Sequence, residues 1–128
     1  MSHGVSDSIA VARQILCPRA QPDVDLGAMT TYRVGGHAAL HLIANNQEDL
    51  CKVREAKNEA ELPVLVIGKG SNLLVADEGF KGIVVSLGSD FSSTKFDQSS
   101  GKVEVGGKVA LPTLARRCVA EGLSGFEW

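Results

Sequence analysis

Two glycines one residue apart close an apolar run in Pro63-Val64-Leu65-Val66-Ile67-Gly68-Lys69-Gly70-Ser71-Asn72. A strand that ends this way can turn sharply and present successive backbone amides with no Cβ in the way. Consecutive N–H groups in such a turn form a concavity suited to a phosphate or pyrophosphate, and Ser71 and Asn72 add short hydrogen-bonding side chains. Two familiar phosphate loops fail on detail. The dinucleotide fingerprint of doubly wound sheets needs a third glycine at position 73 and a helix opening there; here Leu73-Leu74-Val75-Ala76 is strand-like. A Walker loop needs Gly-Lys followed by Ser or Thr at a helix start, and Lys69 is followed by Gly70. By spacing alone the run is either an anion-binding loop or a plain strand–turn–strand corner with glycines for geometry.

The elements that must hold this loop can be read from periodicity. Residues 6–16 place Ile9, Ala12, Ile15 and Leu16 at helical spacing, with Ser6 or Asp7 as the N-cap. Pro18 and Pro22 end that helix and begin a connecting loop. Alternation through Leu40 and Leu42 after Gly35-Gly36 predicts a strand. Asn46 caps a second helix running to about Glu61, with Glu48 and Asp49 in its first turn and Leu50, Val53, Ala56 and Ala60 inward. Val64–Ile67 is a continuous apolar run, β-branched except at Leu65, of the kind a central, two-sided strand requires. Residues 83–87 form another apolar strand, 89–101 a polar surface excursion, and 102–105 a half-exposed strand. A last helix over about 110–121 buries Leu111, Leu114, Ala115 and Cys118, with Pro112 in its first turn and Gly122 at C′. The order is α-β-α-β-β-β-α, an α/β or α+β chain.

The sequence is 128 residues long, with 44% hydrophobic and 22% charged residues and a formal net charge of −2. These are ordinary globular values, with length for one domain or large subdomain, and they give no electrostatic footprint for nucleic acid or an anionic membrane. No apolar run approaches a membrane span, and the first residues lack the basic and apolar regions of a secretory signal. Cys17, Cys51 and Cys118 are odd in number and scattered, which makes neither a disulfide framework nor a metal motif and points to the cytoplasm. His37 and His41 lie on or beside a strand, where four residues separate them by roughly 13 Å, so they are read as surface histidines and no metal site is expected. Cys51 and Cys118 are expected as small buried hydrophobes on helices, and Arg116 and Arg117 as a solvated face.

The run Gly68-Lys69-Gly70-Ser71-Asn72-Leu73-Leu74 resembles the flavin loop of the UDP-N-acetylenolpyruvoylglucosamine reductases (UDP-N-acetylmuramate dehydrogenases). Thr30-Thr31-Tyr32-Arg33-Val34-Gly35-Gly36 is similar to the segment that precedes it in that family, with Thr30 in place of the commoner Asn. Residues 75–82 and the two blocks Val105-Gly106-Gly107 and 111–128 match the family's sequel in order and approximate spacing. The resemblance covers about residues 26–128, leaving 1–25 as an N-terminal helix and connecting loop. It implies the first subdomain of the vanillyl-alcohol-oxidase or PCMH-type FAD-binding fold, a small mixed sheet with flanking helices.

It further implies FAD held by Gly68, Lys69, Gly70, Ser71, Asn72 and Leu73, with NADPH and a UDP-sugar as the co-substrates of the full-length enzyme. Lys69 stands where the family often has Gly and is expected to give only its amide. Tyr32 and Arg33 are read as either flavin neighbours or packing residues, and Gly106 and Gly107 as either a close approach to cofactor or a strand-end turn. The family's second glycine-rich flavin segment, active-site arginine, proton-donor serine and late glutamate have no counterpart before Trp128. The expectation is therefore one wall of a flavin site that holds FAD weakly and turns over nothing alone. Trp128 would fray or dock in the flavin cleft, and a homodimer could cover it. The other readings are the flavin module of a different oxidase or dehydrogenase of this fold, and a non-catalytic binding or assembly module.

Overall fold

The computed structural model describes residues 4–70 and 72–126. In chain order the elements are α1 (Val5–Leu16), β1 (Gln21–Val24), β2 (Ala38–Ala44), α2 (Gln47–Ala60), β3 (Val64–Ile67), β4 (Phe80–Leu87), β5 (Thr94–Asp97), β6 (Lys102–Val105) and α3 (Leu111–Ala120), with short 3-10 turns at Gly27–Met29 and Ser89–Phe91. Four strands form a mixed sheet in the order β1-β2-β4-β3; β2, β4 and β3 are parallel and β1 runs antiparallel to β2. The remaining two, β5 and β6, make an antiparallel hairpin. The α/β class is as expected.

One face of the sheet is closed by helices. Leu40, Leu42 and Ala44 of β2 and Ile83 and Val85 of β4 pack with Ala12 and Leu16 of α1 and Val53, Ala56 and Ala60 of α2. The α2 start is as the sequence predicts: Asn46 accepts the Asp49 N–H at 2.8 Å. Arg19 clamps this corner from the other side, with Nη1 3.0 Å from Asp49 Oδ1 and Nη2 donating to the Ile43 carbonyl at 2.8 Å. A smaller core on the opposite face gathers Leu26, Ala38, Ile67, Val75 and Val84. A register irregularity between Ala38 and Leu40 is what lets Ala38 join this second core while Leu40 joins the first.

Several local expectations fail for identifiable reasons. β3 is an edge strand, not a central one, because β4 inserts between it and β2; Val66 is left 55% exposed. The connecting loop after α1 contains β1, and the polar excursion contains β5, whose Thr-Lys-Phe-Asp alternation is short but real. Leu73–Ala76 is irregular backbone, pinned where the Ala76 carbonyl accepts the Gly36 and Gly79 N–H groups rather than a neighbouring strand. Gly4, rather than Ser6 or Asp7, is the N-cap of α1, with no side-chain capping bond. Cys51 is exposed, since it sits two residues from Val53 and so on the far side of the helix from the Val53–Ala56–Ala60 stripe. Leu111 is 57% exposed at the first position of α3, where the stripe runs out beyond Leu114 and Cys118. Gly122 does adopt a positive φ of 75° after that helix.

Candidate functional site

The segment that precedes β2 locks at glycines onto the 68–70 turn and onto the residues that follow it. Gly70 has φ +73°, and a Cβ there would lie 2.7 Å from the Met29 carbonyl oxygen and 3.0 Å from Thr30 Cα. Its carbonyl accepts the Thr31 N–H at 3.3 Å, so the 68–70 turn is fastened to the 29–31 segment. Gly35, with φ +115°, approaches Val75 so closely that any side chain would overlap the Val75 backbone. Beside it the Gly36 N–H donates to the Ala76 carbonyl at 2.9 Å, and Phe80 N–H donates to His37 O at 2.9 Å. The residues that follow the loop are thereby pinned to the residues that precede β2.

Thr30 organises the turn between them. It is 4% exposed; its Oγ1 donates to the Gly27 carbonyl at 2.8 Å and accepts the Arg33 N–H at 3.2 Å. Arg33 takes a positive φ of 54°, and the turn leaves Tyr32 60% exposed beside the segment on which Gly70 rests. Tyr32 and Arg33 are therefore brought next to the loop, with side chains outside both cores.

Two clefts border the loop. One, of about 260 Å3, is bounded by Gly68, Lys69, Gly70, Asn72 and Leu73 together with β3. The other, of about 250 Å3, lies where Gly68 and Lys69 meet the helix-free face of the sheet at Ile43, Ile67 and Ser86, and is completed by Lys108. Ser86 Oγ is 2.9 Å from His41 Nε2, and burial holds the His41 imidazole below its ordinary pKa, favouring the neutral ring. Leu73 packs against the second core and anchors the far side of the loop. Ser71 and Trp128 lie outside the described residues.

Gly106 lines neither of the two clefts beside the loop. Its bare Cα is filled by the backbone of Phe91, and its N–H donates to Ser93 O at 2.9 Å. The strand-end-turn reading accounts for that contact, and it is Lys108, two residues on, that reaches the cleft. Lys108, Ile43 and Ser86 are lining residues that no motif in the sequence singled out. Ile43 carried a usable signal, as an apolar residue on the outward side of an alternating strand. His37 pairs with Asp23 at 3.0 Å, and among the described residues no three His, Cys, Asp or Glu side chains converge as metal ligands would.

Gly68 tests whether a phosphate-bearing cofactor fits. It does not need a positive φ, and a Cβ there would meet no described atom within 4 Å. Neither conformation nor protein packing accounts for a glycine at this position. A side chain would instead project into the cleft space that Gly68 borders on both sides. The Lys69 and Gly70 amides donate to no carbonyl among the described residues, which leaves N–H groups for an outside acceptor. Open space beside a bare Cα, with unclaimed amides next to it, fits the pyrophosphate of FAD.

Comparison with known proteins agrees with this geometry. Residues 38–128 match the family described as FAD binding domain. UDP-N-acetylenolpyruvoylglucosamine reductase of Prochlorococcus marinus is 38% identical over 86% of this chain, and that of Heliobacterium modesticaldum 41% identical over 77%. The chain spans only 38% and 31% of the lengths of these two relatives. Among solved structures, UDP-N-acetylenolpyruvylglucosamine reductase (MurB) from Thermus caldophilus superposes with a TM-score of 0.62 at 36% identity, over 84% of this chain and 35% of that one. The chain belongs to the FAD binding domain family, and the members it resembles are the UDP-N-acetylenolpyruvoylglucosamine reductases.

Proposed function

We propose that this chain builds the phosphate-facing wall of an FAD site in an NADPH-dependent reductase of peptidoglycan synthesis, one that converts the enolpyruvyl ether of UDP-N-acetylglucosamine to UDP-N-acetylmuramate. The observation that carries the reading is the contrast within one loop: Gly70 is locked onto the Met29–Thr31 backbone while Gly68 faces open cleft. A backbone fixed on one side and bare on the other is preorganised to receive a ligand without reordering. The names of the relatives support the substrate assignment.

FAD, when bound, supplies the hydride relay between NADPH and the enolpyruvyl group. This chain's residues bind and orient. The amide N–H groups of Gly68, Lys69 and Gly70 donate to phosphate oxygens, with Ser71 and Asn72 as side-chain donors and Leu73 as the anchor of the loop. Tyr32 and Arg33, beside Gly70, present a ring and a guanidinium toward the cofactor. No catalytic acid is assigned to the described residues, and the chain on its own does not reduce the UDP-sugar. Nucleotide substrates of this kind support a cytoplasmic setting for the reaction.

Heteronuclear NMR of the full chain tests this reading even where binding is weak. FAD, added up to about 1 mM, should move the amide resonances of Gly68, Lys69 and Gly70 together with those of Tyr32 and Arg33. Riboflavin, which has no phosphate, should leave the three loop amides in place. Loop amides that ignore FAD, or respond equally to riboflavin, would overturn the assignment.

A further inference from the structure

The chain carries 15 acidic and 13 basic residues, yet the described residues on the walls of the two clefts beside the loop include two lysines and no Asp or Glu. Lys69 borders both clefts, from its place between the two glycines; Lys108 reaches the sheet-face cleft from the turn after β6. Both are exposed, and among the described residues the ion pairs are Arg19–Asp49 and His37–Asp23, so neither ammonium is neutralised by a described carboxylate. The rest of the sheet-face wall is largely apolar, with Ile43, Ile67 and Leu87. An apolar floor with like charges at its rim focuses the field on an anion entering between them.

We infer that Lys69 and Lys108 act as a pair of phosphate-binding cations, so that Lys69 contributes its side-chain charge as well as its amide and Lys108 is a cofactor-binding residue. The inference rests on the FAD reading for the identity of the ligand. It goes beyond that reading in assigning part of the affinity to two side chains, one following β3 and one following β6. A pyrophosphate carries two negative charges to be matched, and amide dipoles supply only partial ones. Two ammonium groups complete the match, and being solvent-exposed they do so in a salt-dependent way. Because an ammonium acts as a point charge without a fixed fork, Lys69→Arg should retain function whereas Lys69→Gln should not.

The test is titration of the full chain and its Lys69→Gln, Lys108→Gln and Lys69→Arg variants with FAD, with riboflavin and with inorganic pyrophosphate, followed by amide chemical shifts at low and at high salt. Each Gln variant should weaken FAD and pyrophosphate on the order of fivefold at low salt, flatten the salt dependence, and leave riboflavin untouched. Lys69→Arg should behave as the parent chain. If FAD binds the loop but neither Gln variant changes affinity or salt slope, the lysine inference fails and the FAD reading stands. If FAD leaves the loop unmoved while pyrophosphate binds and loses affinity in both Gln variants, the cation pair stands and the flavin reading fails. Binding of neither ligand overturns both.

Discussion

Gly70 and Met29 meet backbone to backbone: the Cβ that Gly70 lacks would lie 2.7 Å from the Met29 carbonyl oxygen. The contact is made at φ +73°, a conformation that disfavours any side chain. Gly70→Ala therefore carries two penalties, left-handed backbone strain and collision with the backbone carbonyl that ends the Gly27–Met29 turn. A loss of about 2–3 kcal/mol in stability is expected, read as a lowered denaturant midpoint, together with loss of FAD-induced shifts in the loop. A variant as stable as the parent would mean that the loop does not need this contact.

Gly68→Ala should behave in the opposite manner. Its backbone is not in the left-handed region, and its Cβ would meet no described atom. Stability should change by no more than about 0.5–1 kcal/mol, with stabilisation the favoured sign because alanine restricts the unfolded chain. Ligand affinity should fall, since the methyl group enters the cleft. The two substitutions, two residues apart, thus separate a glycine needed by the protein from one needed by what it binds. Equal effects on stability would remove the distinction.

How much of this was legible beforehand follows from what sequence patterns encode. The buried alternation of Leu40 and Leu42, the Asn46 cap and the Leu114–Cys118 stripe are local signals, and each produced its element. The four-residue strand β1, Gln-Pro-Asp-Val, has no apolar alternation to register, and the alternation of β5 carries a single large apolar residue, Phe96, inside a polar, serine-rich run. The edge position of β3 is a fact of strand order: an apolar run can fill the middle of a sheet or an edge, and only β4's insertion decides. In the site, the Gly-Lys-Gly turn was conspicuous as a motif. Its attachment to Met29–Thr31 and the arrival of Lys108 depend on contacts across 39 residues of chain or more, which no spacing rule reports.

Thr30 offers a test of whether the turn beside the loop is held by its hydroxyl. The Oγ1 both donates to Gly27 O and accepts from Arg33 N–H in a nearly solvent-free position. Thr30→Val keeps the volume but removes the hydroxyl's two bonds, leaving Gly27 O with the Thr30 N–H and the Arg33 N–H with the Thr30 carbonyl, for an expected cost of about 0.5–1.5 kcal/mol. Thr30→Ser keeps the hydroxyl and should cost about 1 kcal/mol or less through the lost methyl. The same order is expected in protection of the Arg33 amide from hydrogen exchange: parent, then Ser, then Val. Full protection in the Val variant would show that the turn holds itself.

Asp49 makes part of the fold's stability dependent on pH. Its carboxyl is held below the ordinary aspartate range chiefly by the Asn45 N–H it accepts at 2.9 Å, opposed by partial burial and reinforced by Arg19 and the Asn46 backbone. A folded-state pKa below the unfolded value means that the native state binds fewer protons than the unfolded one in the window between them. The stabilisation is therefore complete above the unfolded pKa of about 4 and is lost as pH falls through the depressed folded value. The Arg19 share is modest because that guanidinium is 44% exposed and screened by solvent. Asp49→Asn should cost about 1–2 kcal/mol at neutral pH. The gap between parent and variant should close progressively as unfolding is measured from pH 5 downward. A gap that stayed constant to pH 2 would show that the carboxylate charge plays no part and that only the shape of the side chain matters.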